Sequence, residues 1–124
     1  MESTDAIARL SALAQPGRLS VFRWLVRAGP DGIAAGDIAV HFGLAPNTLS
    51  SQLAVLAHAG LIHGTRDGRS IRYAARTEAV SDLILYLMED CCDGRPEICA
   101  PVQEAARAAC CPPETSRARK SVRA

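Results

Sequence analysis

An α+β fold, mainly α, is predicted by three features of these 124 residues. Apolar residues recur at helical spacing in several short runs before residue 60, breaks rich in Gly or Pro separate those runs, and Asp67-Gly68 stands between two strand-like runs. A short helix, a turn at a glycine, a second helix with a polar front and then a hairpin make the winged helix-turn-helix pattern. Hydrophobic residues are 48% of the chain and aromatic ones only 4%, so a modest, largely aliphatic core is expected.

Taken in order, Ile7, Leu10 and Leu13 mark the apolar stripe of a first helix, which Gln15-Pro16-Gly17 interrupts. Pro16 suits the first turn of a second helix, where its missing N–H costs nothing, and Leu19, Phe22, Leu25 and Val26 supply its buried face. Gly29-Pro30-Asp31-Gly32 is a loop. Asp37 to Phe42 forms a short helix ended by Gly43, and Pro46 opens the next. There Leu49, Leu53 and Leu56 share one face at i, i+4, i+7, while Asn47, Thr48, Ser50, Ser51 and Gln52 fill the exposed front.

Leu61 to Arg66 and Ser70 to Ala75 read as a hairpin around Asp67-Gly68-Arg69, because Asp-Gly suits the positive φ of a tight turn. Ile71, Tyr73 and Ala75 alternate inward. Arg66, Arg69 and Arg72 then make the hairpin a basic wing. The last long helix, from about Thr77 to Asp90, carries Val80, Leu83, Ile84, Leu85, Leu87 and Met88 around most of its circumference. One small domain cannot cover so wide an apolar surface, so a partner subunit is expected to. Gly94 and Pro96 end this helix, and Pro101 opens a short one through Ala109.

Three parts are expected: residues 1–91 for DNA binding and dimerisation, 92–111 as a cysteine-bearing extension, and 112–124 as a disordered basic tail. Arg117, Arg119, Lys120 and Arg123 against Glu114 give that tail +3, which leaves −2 for residues 1–111 out of a total of +1. Nucleic-acid contact must therefore come from a local basic surface. No stretch approaches the roughly 20 apolar residues of a membrane span, and Met1-Glu2-Ser3-Thr4-Asp5 lacks the regions of a signal peptide. A cytoplasmic protein without membrane contact is expected, its five cysteines reduced.

All the cysteines lie beyond residue 90. Cys91 and Cys92, with Cys99 seven residues on, can converge on one soft ion, whereas free cysteines acting only as small core residues fit a polar, Pro-rich tail poorly. Adjacent residues of an ideal helix diverge by about 100°, so convergence requires the helix to end near Cys91. No histidine lies near, which favours a three-sulfur centre over a mixed zinc site. Cys110 and Cys111 form a second-choice pair. His41, His58 and His63 are scattered and read as surface or groove-facing residues, and Trp24, Tyr86 and Met88 as core or interface.

The ordered combination of Leu13-Ala14-Gln15-Pro16-Gly17-Arg18-Leu19, Asp37-Ile38-Ala39, Thr48 to Ile62 and Asp67-Gly68-Arg69-Ser70-Ile71-Arg72-Tyr73 resembles the ArsR/SmtB family of arsenic- and metal-responsive repressors over about residues 5–90. The resemblance implies a homodimer built on the first and last helices, and a repressor that leaves its operator double-stranded DNA when an ion binds. Where the family often has Ser before the recognition helix and His within it, this chain has Ala45 and Gln52. Two cysteines that some members place near the first helix of the reading motif correspond to Ala34 and Gly36. The zinc site of others, on the last helix, is matched by Asp82 but by no His between residues 64 and 124. Other members bind trivalent arsenic with a vicinal pair and a third cysteine just after the last helix, and Cys91, Cys92 and Cys99 resemble that set.

The expected function is thus a repressor, not an enzyme, needing no obligatory cofactor and induced by As(III), with methylarsenite and Sb(III) as variants. The alternatives are a thiol-based redox sensor or a cadmium, lead or zinc sensor on the same fold. A thiol enzyme is disfavoured by the absence of Cys-x-x-Cys and of a phosphate-cradling loop, and because a helix C-terminus opposes a thiolate until an ion displaces its proton.

Overall fold

The computed structural model describes residues 1–88 and 96–110. They fall into two compact units, Met1–Leu83 and the residues from Ile84 onward. The first runs α1 (Ser3–Leu13), α2 (Pro16–Ala28), β1 (Ile33–Ala34), α3 (Ala35–Phe42), α4 (Pro46–His58), β2 (Ile62–Asp67), β3 (Ser70–Ala75) and the start of α5 (Thr77–Met88). The second holds the end of α5 and α6 (Pro96–Cys110).

The break between α1 and α2 is satisfied from both sides. Gln15 caps α2, its side-chain oxygen accepting the Arg18 N–H at 2.7 Å, and Pro16 occupies the first turn. Arg18 reaches back over the break, donating from Nε to the Ala12 carbonyl at 2.6 Å and from Nη2 to that of Ser11 at 3.3 Å. Carbonyls stranded at the end of α1 thereby gain donors.

Both helices of the reading motif stop in the same way. Gly43 (φ 63°) donates to the Val40 carbonyl while Leu44 donates to that of Ala39, and Gly60 (φ 83°) and Leu61 repeat the pair on Ala57 and Leu56. Each is a six-to-one bond enclosing a five-to-two bond, which needs a left-handed residue that glycine adopts without strain. At the start of α4 the Ala45 side chain makes no cap, and Pro46 stands within the first two positions.

One cluster joins Val21, Phe22 and Leu25 of α2, Ile38 of α3, Leu49, Leu53 and Leu56 of α4, and Leu61 and Ile62. The leucine stripe of α4 is buried as expected. The buried face of α2 is corrected: Val21 lies inside, whereas Leu19 and Val26 are exposed. Those two are seven residues apart and share a flank that the core does not reach. On α1 the small residues Ala6 and Ala12 face inward, leaving Ile7 at 64% and Leu10 at 43% exposure.

The sheet has the order β1-β3-β2, antiparallel throughout. Its first strand, Ile33–Ala34 paired with Tyr73 and Arg72, is an addition to the expected hairpin. Ser70 pairs with Asp67, so Gly68 and Arg69 form the tip. Ala74 is buried and Ile71, Tyr73 and Ala75 are half-buried, so β3 is covered more evenly than simple alternation implies. At the start of α5 the Arg9 Nη1 donates to the Ala79 carbonyl at 3.0 Å, tying α1 to this turn. The Glu78 carboxyl beside it is held below its usual pKa by its own backbone N–H and then by Arg76.

In the second unit α6 begins at Pro96 and carries Pro101 inside it, instead of starting there. Five residues of helix thus precede the proline, which removes one backbone bond without ending the helix. The predicted end of α5 at Asp90 and the character of residues 112–124 lie outside the described residues. Among the described residues no helix is long and apolar enough to cross a membrane.

This packing predicts a graded response in urea unfolding. Leu56→Ala, at a fully buried site, is expected to cost about 2–5 kcal/mol, and Val40→Ala, at 82% exposure, less than about 0.5 kcal/mol. Equal losses would contradict the placement of the core.

Candidate nucleic-acid interface

The three leucines that anchor α4 turn its opposite side outward. Asn47, Thr48, Ser50 and Ser51 are all exposed. The Ser51 hydroxyl donates to the Asn47 carbonyl at 3.2 Å, one turn back. These groups offer amide and hydroxyl donors and acceptors over the first two turns, the chemistry that base edges and phosphates both accept.

Gln52 stands apart from that row. It is half-buried, its Oε1 is enclosed without a hydrogen-bond partner, and its Nε2 lies 2.7 Å from the point that a Cβ on Gly17 would occupy. Sequence spacing alone puts it beside Ser51 on the exposed front; the proximity of α2 explains the difference.

The wing also divides. Arg66 and Arg69 are exposed, and among the described residues neither makes a salt bridge; the ion pair present there is Arg76 with Glu78 at 3.3 Å. Arg72, by contrast, donates from Nε to the Asp31 carbonyl at 3.1 Å and from Nη2 to the Gly32 carbonyl at 2.9 Å. Its guanidinium fastens β3 to the loop before β1. Sequence spacing groups it with the other arginines because its partners are backbone oxygens some forty positions earlier, which no side-chain pattern reveals.

Behind the interface, Trp24 of α2 stacks on His41 of α3 with ring centroids 4.0 Å apart and planes 5° from parallel, and Phe42 meets both edge-on. His41 is thereby placed in an aromatic cluster joining α2 to α3. Spacing indicates only that it is not grouped with His58 or His63.

Of the cysteines, Cys91, Cys92 and Cys111 lie outside the described residues. The backbone of Cys99 is in the first turn of α6, and that of Cys110 ends the helix. Eleven helical residues separate the two backbone positions by about 16 Å. Ala34, in β1, and the exposed Gly36, in α3, carry no donor side chain.

A helix-turn-helix domain family matches residues 13–65. The HTH-type transcriptional regulator NmtR of Mycobacterium tuberculosis is 40% identical over 82 residues, covering 66% of this chain and 66% of that protein. The homodimeric winged helix-turn-helix DNA-binding domain of a possible ArsR-family regulator from Mycobacterium bovis superposes with a TM-score of 0.56 at 28% identity, over 68% of this chain and 78% of that one. The chain belongs to the ArsR/SmtB family. A probable mercury resistance operon repressor of Streptomyces lividans is 29% identical over 82 residues, 65% of this chain and 63% of its own length. The chain thus spans just under two thirds of these curated relatives.

Within this ArsR/SmtB fold Arg72 ties the wing to the loop before β1. Arg72→Ala is expected to cost about 0.5–1.5 kcal/mol of stability, chiefly through the part-buried Gly32 carbonyl since that of Asp31 is open to water, and to speed amide exchange at Tyr73 and at Ile33 and Ala34 of β1. Arg69→Ala, at the exposed tip, should leave both unchanged. Hydrogen exchange of the two variants separates these roles, and indistinguishable exchange would remove the assignment of Arg72 as a tether.

Proposed function

We propose that this chain is a homodimeric transcriptional repressor that binds operator double-stranded DNA through α4 and the wing, and that releases it when trivalent arsenic binds the thiolates of Cys91, Cys92 and Cys99. The observation that carries the DNA half is the exposed row Asn47, Thr48, Ser50 and Ser51 on a helix anchored from behind, with Arg66 and Arg69 on the wing. The row reads base edges in the major groove, and the two arginines hold neighbouring phosphates. Its place of action is the cytoplasm.

A second copy supplies the cover for apolar side chains left exposed. In the first unit these are Ile7 and Leu10 of α1, and in the second Ile84, Leu85 and Leu87 of α5. Two reading helices related by a two-fold axis need half-sites about 34–36 Å apart or a multiple.

The inducer is proposed from donor chemistry. Three thiolates within nine residues, without imidazole among them, suit a soft ion. The protein binds the inducer as a ligand and catalyses nothing. Release requires the ion to bind the DNA-incompetent arrangement more tightly than the DNA-bound one, since equal affinity shifts nothing. Methylarsenite and Sb(III) offer related coordination. The resemblance to a mercury resistance repressor gives a specific second reading, in which the same thiolates take Hg(II).

Fluorescence anisotropy tests both halves. A labelled duplex selected from a random library by the purified dimer is titrated under a phosphine reductant, with and without arsenite, methylarsenite, antimonite or Hg(II). Arsenite should weaken binding by about 5–150-fold, the usual range of allosteric coupling. Cys91→Ser/Cys92→Ser should still bind the duplex and ignore arsenite, while Cys110→Ser/Cys111→Ser should respond as wild type. A full arsenite response in the first double variant, or a response abolished only in the second, refutes the proposed site. Response to Hg(II) alone selects the second reading.

Salt dependence separates the groove-reading row from the wing. Arg66→Ala and Arg69→Ala should each weaken every duplex alike and lower the slope of log affinity against log salt by about 0.9 for each phosphate that is no longer neutralised. Slopes equal to wild type would take the wing off the DNA.

A further inference from the structure

A glutamine that reads a base must present both amide atoms to the groove. Gln52 does not. Its oxygen is enclosed and unpartnered, and its amide end presses on α2 at Gly17, where a methyl group would meet Nε2 at 2.7 Å and Cδ at 3.4 Å. Gln15 Oε1 lies 3.1 Å from that same point, so the space over Gly17 is shared by two amide side chains.

The surface that Gln52 presses on is firmly tied. Gln15 Oε1 takes the Arg18 N–H at 2.7 Å, and the Arg18 guanidinium holds the Ala12 and Ser11 carbonyls across the break. The last turn of α1 and the first of α2 therefore form one braced corner, and α4 meets that corner through the side chain of Gln52.

We propose that Gln52 is a positioning residue: its amide, wedged against Gly17, sets the angle between the reading helix and the α1–α2 corner, and the absence of a side chain at Gly17 is the receiving half of the contact. This rests on the reading of α4 as the groove-entering helix. Length at position 52, not hydrogen-bonding capacity, is what the contact requires. Methionine has that length without an unpaired acceptor, so the oxygen that now lacks a partner makes the amide replaceable there.

The test is a cycle of Gly17→Ala, Gln52→Ala, the double variant, and Gln52→Met, each measured by thermal melting and by anisotropy. The duplexes are the selected one and a set with each half-site base pair replaced in turn. Gln52→Met should keep affinity within about twofold and melt at or above wild type. Gln52→Ala should weaken binding about tenfold on all duplexes alike, a size usual for side chains in direct contact. Gly17→Ala should lower the melting temperature in the wild-type background and lower it distinctly less in the Gln52→Ala background, where the 2.7 Å approach to Nε2 is gone and only the 3.1 Å approach to Gln15 Oε1 remains. Weakening confined to one base-pair position, a Gln52→Met effect equal to that of Gln52→Ala, or additive effects of the two sites would each overturn the wedge. If wild type binds no duplex at all, the repressor reading fails on its own, and the non-additivity of the two substitutions in melting still decides the wedge.

Discussion

The reading helix is held by a single narrow stripe. Leu49, Leu53 and Leu56 are all that α4 commits to the core, because its first two turns must stay polar, and they pack with Val21, Phe22, Leu25, Ile38 and Leu61. The seating of the polar row depends first on how firmly that stripe is held. The arrangement has no slack, since interiors packed at crystal-like density feel the removal of even one methylene. The two glycine-terminated helix ends serve the same seat: Leu61, directly after Gly60, is fully buried and closes the cluster from beneath.

Much of this is legible in the chain. Period and punctuation mark the helices of the reading motif, since Leu49, Leu53 and Leu56 permit only one buried face, and Gly43 and Pro46 bracket the turn. The hairpin follows from Asp67-Gly68, although pairing moves its tip by one residue to Gly68-Arg69. What stays hidden has a common cause. Val21 displaces Leu19 and Val26 from the core because several apolar phases of α2 are equally plausible until a neighbour chooses one. Ile33–Ala34 is too short to alternate. Arg72 and Gln52 look like members of local rows, yet each is claimed by a partner distant in sequence, Asp31 and Gly32 in one case and Gly17 in the other. Pro101 has the character of a helix start and lies within one.

The proposed division of labour along the chain follows from chemistry that the two halves cannot share. A DNA-reading surface needs neutral hydrogen-bonding groups and cations, the kinds of group that the exposed Asn47, Thr48, Ser50 and Ser51 with Arg66 and Arg69 would offer it. A soft-ion site needs thiolates, which phosphates would repel. Placing every cysteine beyond residue 90 keeps these apart in sequence.

The aromatic cluster has an optical consequence. Trp24 is the only tryptophan of the chain, and an imidazole lies parallel against its face at 4.0 Å. Its emission therefore originates at the junction of α2 with α3. Any rearrangement that slides α3 along α2 unstacks the ring pair and alters the quenching of that one fluorophore. The fold thus carries a built-in optical reporter of how α2 and α3 pack on each other.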